Sequence, residues 1–254
     1  MSHVPLEHAQ FSALGPEYEE SAQGLFRAHL EIPSMLAAIG EVRRCAVLDA
    51  GCGTGVYARL AARLGAGPVV GVDASEGMLE VARGLEKAEP LGIDYRAGDI
   101  GEAQGLAVDL VLAVYLLPYA RSRLDLEAMC RGLARALGPG GRLVTAVLNP
   151  DFCDEPDWYR AYGFSLSTPG RRDEGDQVVL SVDQGAMVFE VTAHYWSGEA
   201  MEAALGLAGF TEISWSRPRV SRTGLDRYGA GFWDNYLTRP HALIVRARLA
   251  GEPT

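Results

Sequence analysis

The residues best placed to do chemistry are two carboxylates around a run of glycines. Asp49 stands two positions before Gly51-Cys52-Gly53-Thr54-Gly55, and Asp73 follows Gly55 by 18 residues. Glycines in a turn let the backbone approach a ligand closely, because no Cβ intervenes. An acid at the end of the next strand can hold both hydroxyls of a ribose. The pattern implies a nucleoside-bearing ligand rather than a merely tight turn.

The sign of the charge separates the candidate ligands. A dinucleotide site presents its helix N-terminus and backbone N–H groups to a pyrophosphate, which a carboxylate at Asp49 opposes. S-adenosylmethionine (SAM) carries an ammonium and a sulfonium, which the same acid attracts. The charge therefore favours SAM over an NAD(P)-dependent oxidoreductase, the first alternative. The plainer reading is that Asp49 only ties down its own loop.

Transfer of a methyl group from a sulfonium needs proximity, alignment and sometimes a base. His194, in Ala193-His194-Tyr195-Trp196, is the base candidate, since its ordinary pKa suits proton removal near neutral pH. A structural or surface histidine is the plainer reading, and His29 and His241 have weaker cases. Tyr115 and Tyr119 follow the fourth strand-like run. Tyr115 is the second catalytic candidate, as a wall of the transfer site or a hydrogen-bond partner of the acceptor; packing beside Pro118 explains Tyr119 equally well. Asn149 and Asp151 suit Mg²⁺, but the further acid expected after the fourth strand is absent, so no metal is expected. Cys45, Cys52, Cys130 and Cys153 have no paired short spacing, matching neither a zinc site nor a disulfide framework.

Hydrophobic periodicity gives the elements that must position these residues. Residues 47–49, 69–72, 93–97, 110–114 and 143–148 are strand-like, and 110–114 is apolar throughout, as a strand buried on both faces should be. Between them Tyr57, Leu60, Ala61 and Leu64, then Met78, Leu79, Ala82 and Leu85, recur at helical spacing. Ser122 with Asp125 predicts a capping box opening a helix with Leu126, Met129, Leu133 and Leu137 on one face. Gly138-Pro139-Gly140-Gly141 predicts a sharp turn. Such alternation requires parallel pairing with right-handed crossovers, hence an α/β, Rossmann-like doubly wound sheet, mostly parallel with an antiparallel last strand. Ligands of such sheets bind beyond the carboxyl ends of the strands, so the loops after Asp49, Asp73, Ala97, Val114 and Leu148 form the site.

After Pro150 the alternation breaks. Residues 178–182 and 187–195 predict an antiparallel pair, 198–207 a helix, 211–216 a strand and 241–249 the final strand. A single domain over 1–254 follows, with an N-terminal cover (1–35), a SAM-binding core (36–150), an insertion or lid after the fifth strand (151–196) and a C-terminal part of the sheet (197–254). Trp158, Tyr159, Tyr162, Phe164, Trp196 and Trp233 predict a flat or apolar acceptor.

At these residues the chain resembles the class I SAM-dependent methyltransferases. Val47-Leu48-Asp49-Ala50-Gly51-Cys52-Gly53-Thr54-Gly55 is similar to their first motif, and Val70-Gly71-Val72-Asp73 to their ribose-binding strand end. Ala97-Gly98-Asp99-Ile100, 109–114 and 137–142 resemble later motifs, so the resemblance covers about residues 40–150. It implies SAM as donor and S-adenosylhomocysteine as product. It also implies donor contacts from Tyr18, Asp49, Gly51, Cys52, Gly53, Asp73, Ala74, Met78, Asp99, Ile100, Val114 and Tyr115. Asp99 would accept the adenine amino group, Ile100 would pack on its ring, and Tyr18 would close over the methionine. A narrower similarity, at residues 13–18, 114–120, 162–164 and 231–234, is to bacterial natural-product methyltransferases such as the toxoflavin-pathway N-methyltransferases. It implies methylation of nitrogen or oxygen on a small aromatic or heterocyclic molecule. A non-catalytic SAM-binding regulatory protein is the second alternative that an intact glycine turn leaves open.

Composition bounds the partners. The 254 residues carry a formal net charge of −10, which repels phosphate backbones and argues against nucleic acid. No segment approaches the roughly 20 apolar residues of a bilayer span, and a cytoplasmic monomer or homodimer is expected.

Overall fold

The computed structural model describes residues 11, 24–102, 105–183 and 188–251, so Tyr18 and the 13–18 motif lie outside the described residues. Five parallel strands form where the alternation predicts them: β1 (Val47–Ala50), β2 (Val69–Asp73), β3 (Ile93–Ala97), β4 (Val108–Val114) and β5 (Leu137–Leu148). Then follow β6 (Phe164–Ser167), β7 (Gln177–Asp183), β8 (Val188–His194), β9 (Phe210–Ser216) and β10 (Ala242–Leu249). The main sheet has the order β3-β2-β1-β4-β5-β10-β9, and β10 runs antiparallel to both of its neighbours. Strand order reverses between β1 and β4, which opens a crevice at their carboxyl ends.

Both faces of this sheet are covered, which is why β1 is buried at all four positions. On one face lie α1 (Ile32–Ile39), led in by a π-helical turn at Arg27–Glu31, α2 (Val56–Arg63) and α3 (Glu76–Ala88). Met35, Ile39, Ala61 and Leu79 from these helices meet Leu110 and Leu112 of β4. On the other face α4 (Arg123–Ala136) and α5 (Gly198–Leu207) place Leu126, Leu133, Met201 and Leu205 with Val111 and Ala113. The period-2 alternation of β4 thus feeds two cores. Serines cap three of these helices: Ser75, Ser122 and Ser197 accept from the N–H groups of Met78 (3.4 Å), Asp125 (3.1 Å) and Ala200 (3.1 Å). Each such cap is worth about 1 kcal/mol. Two short helices, α6 (Arg222–Tyr228) and α7 (Asp234–Thr238), precede β10.

Two expectations change. The Gly138-Pro139-Gly140-Gly141 run lies inside β5 as a register shift, with Leu137 opposite Val108 and Arg142 opposite Leu110, rather than as a turn before the strand. The expected antiparallel pair is a three-stranded sheet, β6-β7-β8, in which Phe164-Ser165-Leu166-Ser167 supplies the added strand.

A third core joins this smaller sheet to α7 and the chain before α1. Its centre holds Phe26, Phe152, Tyr159, Trp233 and Tyr236. Most of the aromatic residues expected to face an acceptor are used here or elsewhere as packing. Tyr162 stacks on Trp233 with centroids 5.7 Å apart, and the Tyr159 hydroxyl donates to the Arg239 carbonyl at 2.7 Å. Trp196 donates to the Ala120 carbonyl at 3.0 Å, and Trp158 to that of Asn235 at 3.1 Å. A large ring whose polar atom reaches a carbonyl is well suited to burial, while Phe164 borders a cavity.

Candidate active site

The donor side is built at the carboxyl ends of β1 and β2. Gly51, Gly53 and Gly55 all take left-handed backbone, with φ of 65°, 53° and 83°. A Cβ on Gly51 would lie 3.0 Å from Leu116 Cδ1, so glycine keeps this turn open. The Asp73 carboxylate holds it in place, Oδ2 accepting from the Gly53 N–H at 2.7 Å and Oδ1 from the Ser75 N–H at 2.8 Å. Asp49 is 1 % exposed, and its Oδ2 accepts from the Ala58 N–H at 2.8 Å. Burial pushes the Asp49 carboxyl up to about 7 against the Ala58 hydrogen bond, with the Asp73 charge adding to the rise.

Two small cavities adjoin this turn. One, of about 300 Å³, is lined by Arg27, Asp49, Gly51, Cys52, Gly53 and Tyr57 among others. The second, of about 400 Å³, is lined by Gly51, Gly53, Met78, Val114, Tyr115 and Tyr119 among others. Asp49, Gly51, Cys52, Gly53, Met78, Val114 and Tyr115 are thus brought together, with Asp73 tied to their Gly53 wall and Ala74 next to it. Asp99 and Ile100 line neither cavity. The chain turns at once into a short 3-10 helix, where Asp99 Oδ1 accepts from the Gly101 N–H at 2.7 Å and Ile100 packs in the core with Leu133.

A larger cleft of about 880 Å³ lies beneath β6, β7 and β8. Leu166, Leu180 and Val191 form its roof, and Phe26, Tyr115 and Leu148 its sides. Arg27 borders both this cleft and the first donor cavity, while Tyr115 and Tyr119 border this cleft and the second. Tyr115 takes φ of 58°, a costly conformation for a non-glycine residue that is met at functional sites. Its hydroxyl lies 3.5 Å from His241 Nε2, and the Tyr236 hydroxyl lies 3.0 Å from His241 Nδ1. Burial pushes His241 down to about 3 and the Tyr115 phenol well above 10, so both are neutral. Glu31, 5 % exposed, accepts from the Tyr57 hydroxyl at 2.8 Å and pairs with Arg27 Nε at 3.3 Å.

His194 does not meet this cleft. Val191 and Ala193 line it, and strand alternation turns His194 to the other side of β8. There its Nδ1 lies 2.8 Å from the Gly175 carbonyl. His194→Ala is therefore expected to leave methyl transfer within about twofold of wild type while costing roughly 1 kcal/mol of stability for one hydrogen bond; a rate and a denaturant midpoint on the same sample check both. The charged residues of the cleft, Arg27 and Glu31, sit in the stretch read from sequence only as a cover. An oppositely charged pair four residues apart, beside Phe26 and Leu30, was the available signal.

Residues 47–141, which hold Asp49, the glycine turn, Asp73 and Tyr115, match the family model described as a methyltransferase domain. Residues 47–141 thus carry the methyltransferase-domain pattern. The matched residues form the glycine turn, its two acids and much of the main sheet. The chain's curated relatives include the ubiquinone biosynthesis O-methyltransferase of Roseobacter denitrificans, 35 % identical over 162 residues, which are 57 % of this chain and 64 % of that protein. The enzyme of the same name from Coxiella burnetii is 31 % identical over 153 residues, 58 % of this chain and 63 % of that one. The chain thus spans just under two thirds of either relative. In fold the chain is similar to the SAM-dependent methyltransferase of Mesorhizobium loti, with TM-score 0.62 and 23 % identity over 89 % of this chain and 98 % of that one. It is similarly related to the CcbJ methyltransferase of Streptomyces caelestis, with TM-score 0.62 and 20 % identity over 98 % and 100 %.

Proposed function

We propose that this chain transfers the methyl group of SAM to nitrogen or oxygen of a small, apolar, aromatic or heterocyclic molecule seated beneath β6–β8. The observation that carries the reading is the shared wall: Arg27, Tyr115 and Tyr119 each border both a donor cavity and the apolar cleft. SAM supplies a methyl group already activated by its sulfonium. The protein's work is to hold both partners in line and to exclude water. Asp49, Gly51, Cys52, Gly53, Met78, Val114 and Tyr115 would hold the donor, with Asp73 on the ribose and Ala74 beside it. Asp99 and Ile100, at the end of β3, would serve the adenine, and Tyr18 the methionine end. Residues 151–196 would act as the cover. The names of the curated relatives favour oxygen, and the resemblance to natural-product N-methyltransferases favours nitrogen.

The donor set suits SAM and disfavours a pyrophosphate. A buried carboxylate whose charged form is penalised by desolvation gains from a neighbouring cation and repels an anion. This weighs against the oxidoreductase reading. The charge of −10 and the lack, among described residues, of a helix long and apolar enough to cross a membrane support a small-molecule acceptor over nucleic acid or a membrane. We place the chain in the cytoplasm, as a monomer or homodimer.

Asp49 supplies a pH signature. Its ordinary value is 3.8 and its value in the folded chain about 7, so between those pH values the unfolded state has lost a proton that the folded state keeps. Stability of the protein without donor therefore falls as pH rises from about 4 to about 7, by on the order of 4 kcal/mol. A bound cation returns Asp49 to its anion, so binding releases a proton below that upper value. Affinity for SAM should rise about tenfold per pH unit up to about pH 7 and then level off. Calorimetry in buffers of different ionisation heat checks this, and a flat profile without proton release would contradict it.

Methyl transfer itself is tested with SAM and a panel of phenols and nitrogen heterocycles, following S-adenosylhomocysteine. Acceptor-dependent release is expected. Tight SAM binding with no release for any acceptor would favour the regulatory alternative.

A further inference from the structure

The acceptor cleft is apolar on every side but one. Among the described residues its roof offers no polar side chain, and its polar lining is Arg27, Glu31, Tyr115, Tyr119 and His241. Among these, Glu31 alone bears a carboxyl group. Its Oε1 takes both the Tyr57 hydroxyl and the Arg27 guanidinium, and Oε2 takes part in neither contact. Tyr57 and Arg27 both line the donor cavity. The carboxylate therefore stands at the junction of the donor and acceptor spaces.

Other groups are poorly placed to take a proton there. His241 has both ring nitrogens within reach of phenols, Nδ1 of Tyr236 and Nε2 of Tyr115, and burial leaves it too weak a base to hold a proton near neutrality. Tyr115 is held protonated by its burial. Arg27 is a cation, and His194 faces away. A cationic acceptor would compete with Arg27 for Glu31 while losing its hydration, and an anionic one would face Glu31.

We propose that Glu31 is the general base of the transfer, and that the acceptor is an uncharged apolar molecule bearing one acidic O–H or ring N–H. This rests on the methyl-transfer reading above. The acceptor's lone pair forms the bond to the methyl carbon, and its O–H or N–H proton moves to Glu31 Oε2. The electron pair of the broken carbon–sulfur bond stays on sulfur. One positive and one negative charge thus become a neutral thioether and a neutral carboxylic acid, a change that a dry cleft favours over one creating charge. The acid then returns its proton to solvent.

The probe is 4-nitrophenol, colourless when protonated and yellow as its anion, added to the full chain without donor. In the wild type the bound probe should ionise about one pH unit or more above its value in water, because the cleft desolvates the anion and Glu31 repels it. E31Q removes the negative charge that faces the probe, so the bound probe should ionise at least about one unit lower than in wild type. Equal ionisation in the two proteins, or no binding to wild type, would overturn the proposal. If E31Q does not fold, the wild-type titration decides, since ionisation as in water would overturn it equally. With whichever panel phenol gives S-adenosylhomocysteine, E31Q should be slowed about 100-fold at neutral pH and E31D less, and E31Q turnover should climb as the acceptor ionises unaided. An E31Q rate equal to wild type would remove Glu31 as the base. Should no phenol react while the titration moves, the transfer reading fails and the contact of Glu31 with the acceptor stands.

Discussion

Asp73→Ala is expected to weaken SAM binding by about 2–4 kcal/mol, or about 30- to 1,000-fold. Two losses combine. The variant removes the carboxylate proposed to hold the ribose hydroxyls, and it removes the acceptor for the Gly53 and Ser75 N–H groups. The second loss frees the left-handed turn at Gly53, so part of the effect is reorganisation of the site. Asp73→Asn separates the two, because an amide oxygen can still accept one N–H but carries no charge. Its affinity should fall between those of wild type and Asp73→Ala. Calorimetry on all three proteins decides, and an Asp73→Ala protein that binds SAM as wild type does would remove Asp73 from the donor site.

Gly71→Ala should destabilise the chain by on the order of 3 kcal/mol, at the upper end of the usual cost of overpacking. Gly71 lies in β2 between Asp49 of β1 and Tyr95 of β3. A Cβ there would stand 2.6 Å from Tyr95 Cδ1 and 3.1 Å from Cys52 Sγ. Tyr95 is 8 % exposed, and its rigid ring has little space to retreat into. The same ring approaches Gly55, whose Cβ would come within 2.7 Å of Tyr95 Cζ. A strand glycine and a turn glycine thus serve one tyrosine, and through it the loop that carries Cys52. Denaturant midpoints give the cost. A double-mutant cycle with Tyr95→Leu should show strong coupling, the second change recovering part of the loss; strictly additive effects would contradict the packing account.

The donor side was legible in the sequence because its chemistry lies in consecutive residues. Asp49, the glycine turn and Asp73 are read from a strand, a turn and the next strand end, and the parallel strands are apolar wherever helices cover both faces. Ser122 with Asp125 announced its helix start for an equally local reason. Where local reading stops, tertiary contact decides. Asp99 turns back on Gly101, which nothing in Ala97-Gly98-Asp99-Ile100 reveals. The place of His194 at a strand end suggests a base, although the face that Val191 and Ala193 share decides its direction. The aromatic residues after Pro150 looked like an acceptor wall, but carbonyls as distant as Arg239 from Tyr159 draw them into packing. The acceptor cleft joins Glu31 before β1, Tyr115 after β4, Leu180 on β7 and His241 before β10. Such an assembly leaves no spacing signature.

Titration calorimetry of the folded full chain with SAM tests the central claim most directly. Saturable one-to-one binding is predicted, with proton release below about pH 7 and a large loss of affinity in Asp73→Ala. Absence of binding at high micromolar SAM, in protein shown to be folded, would contradict the account.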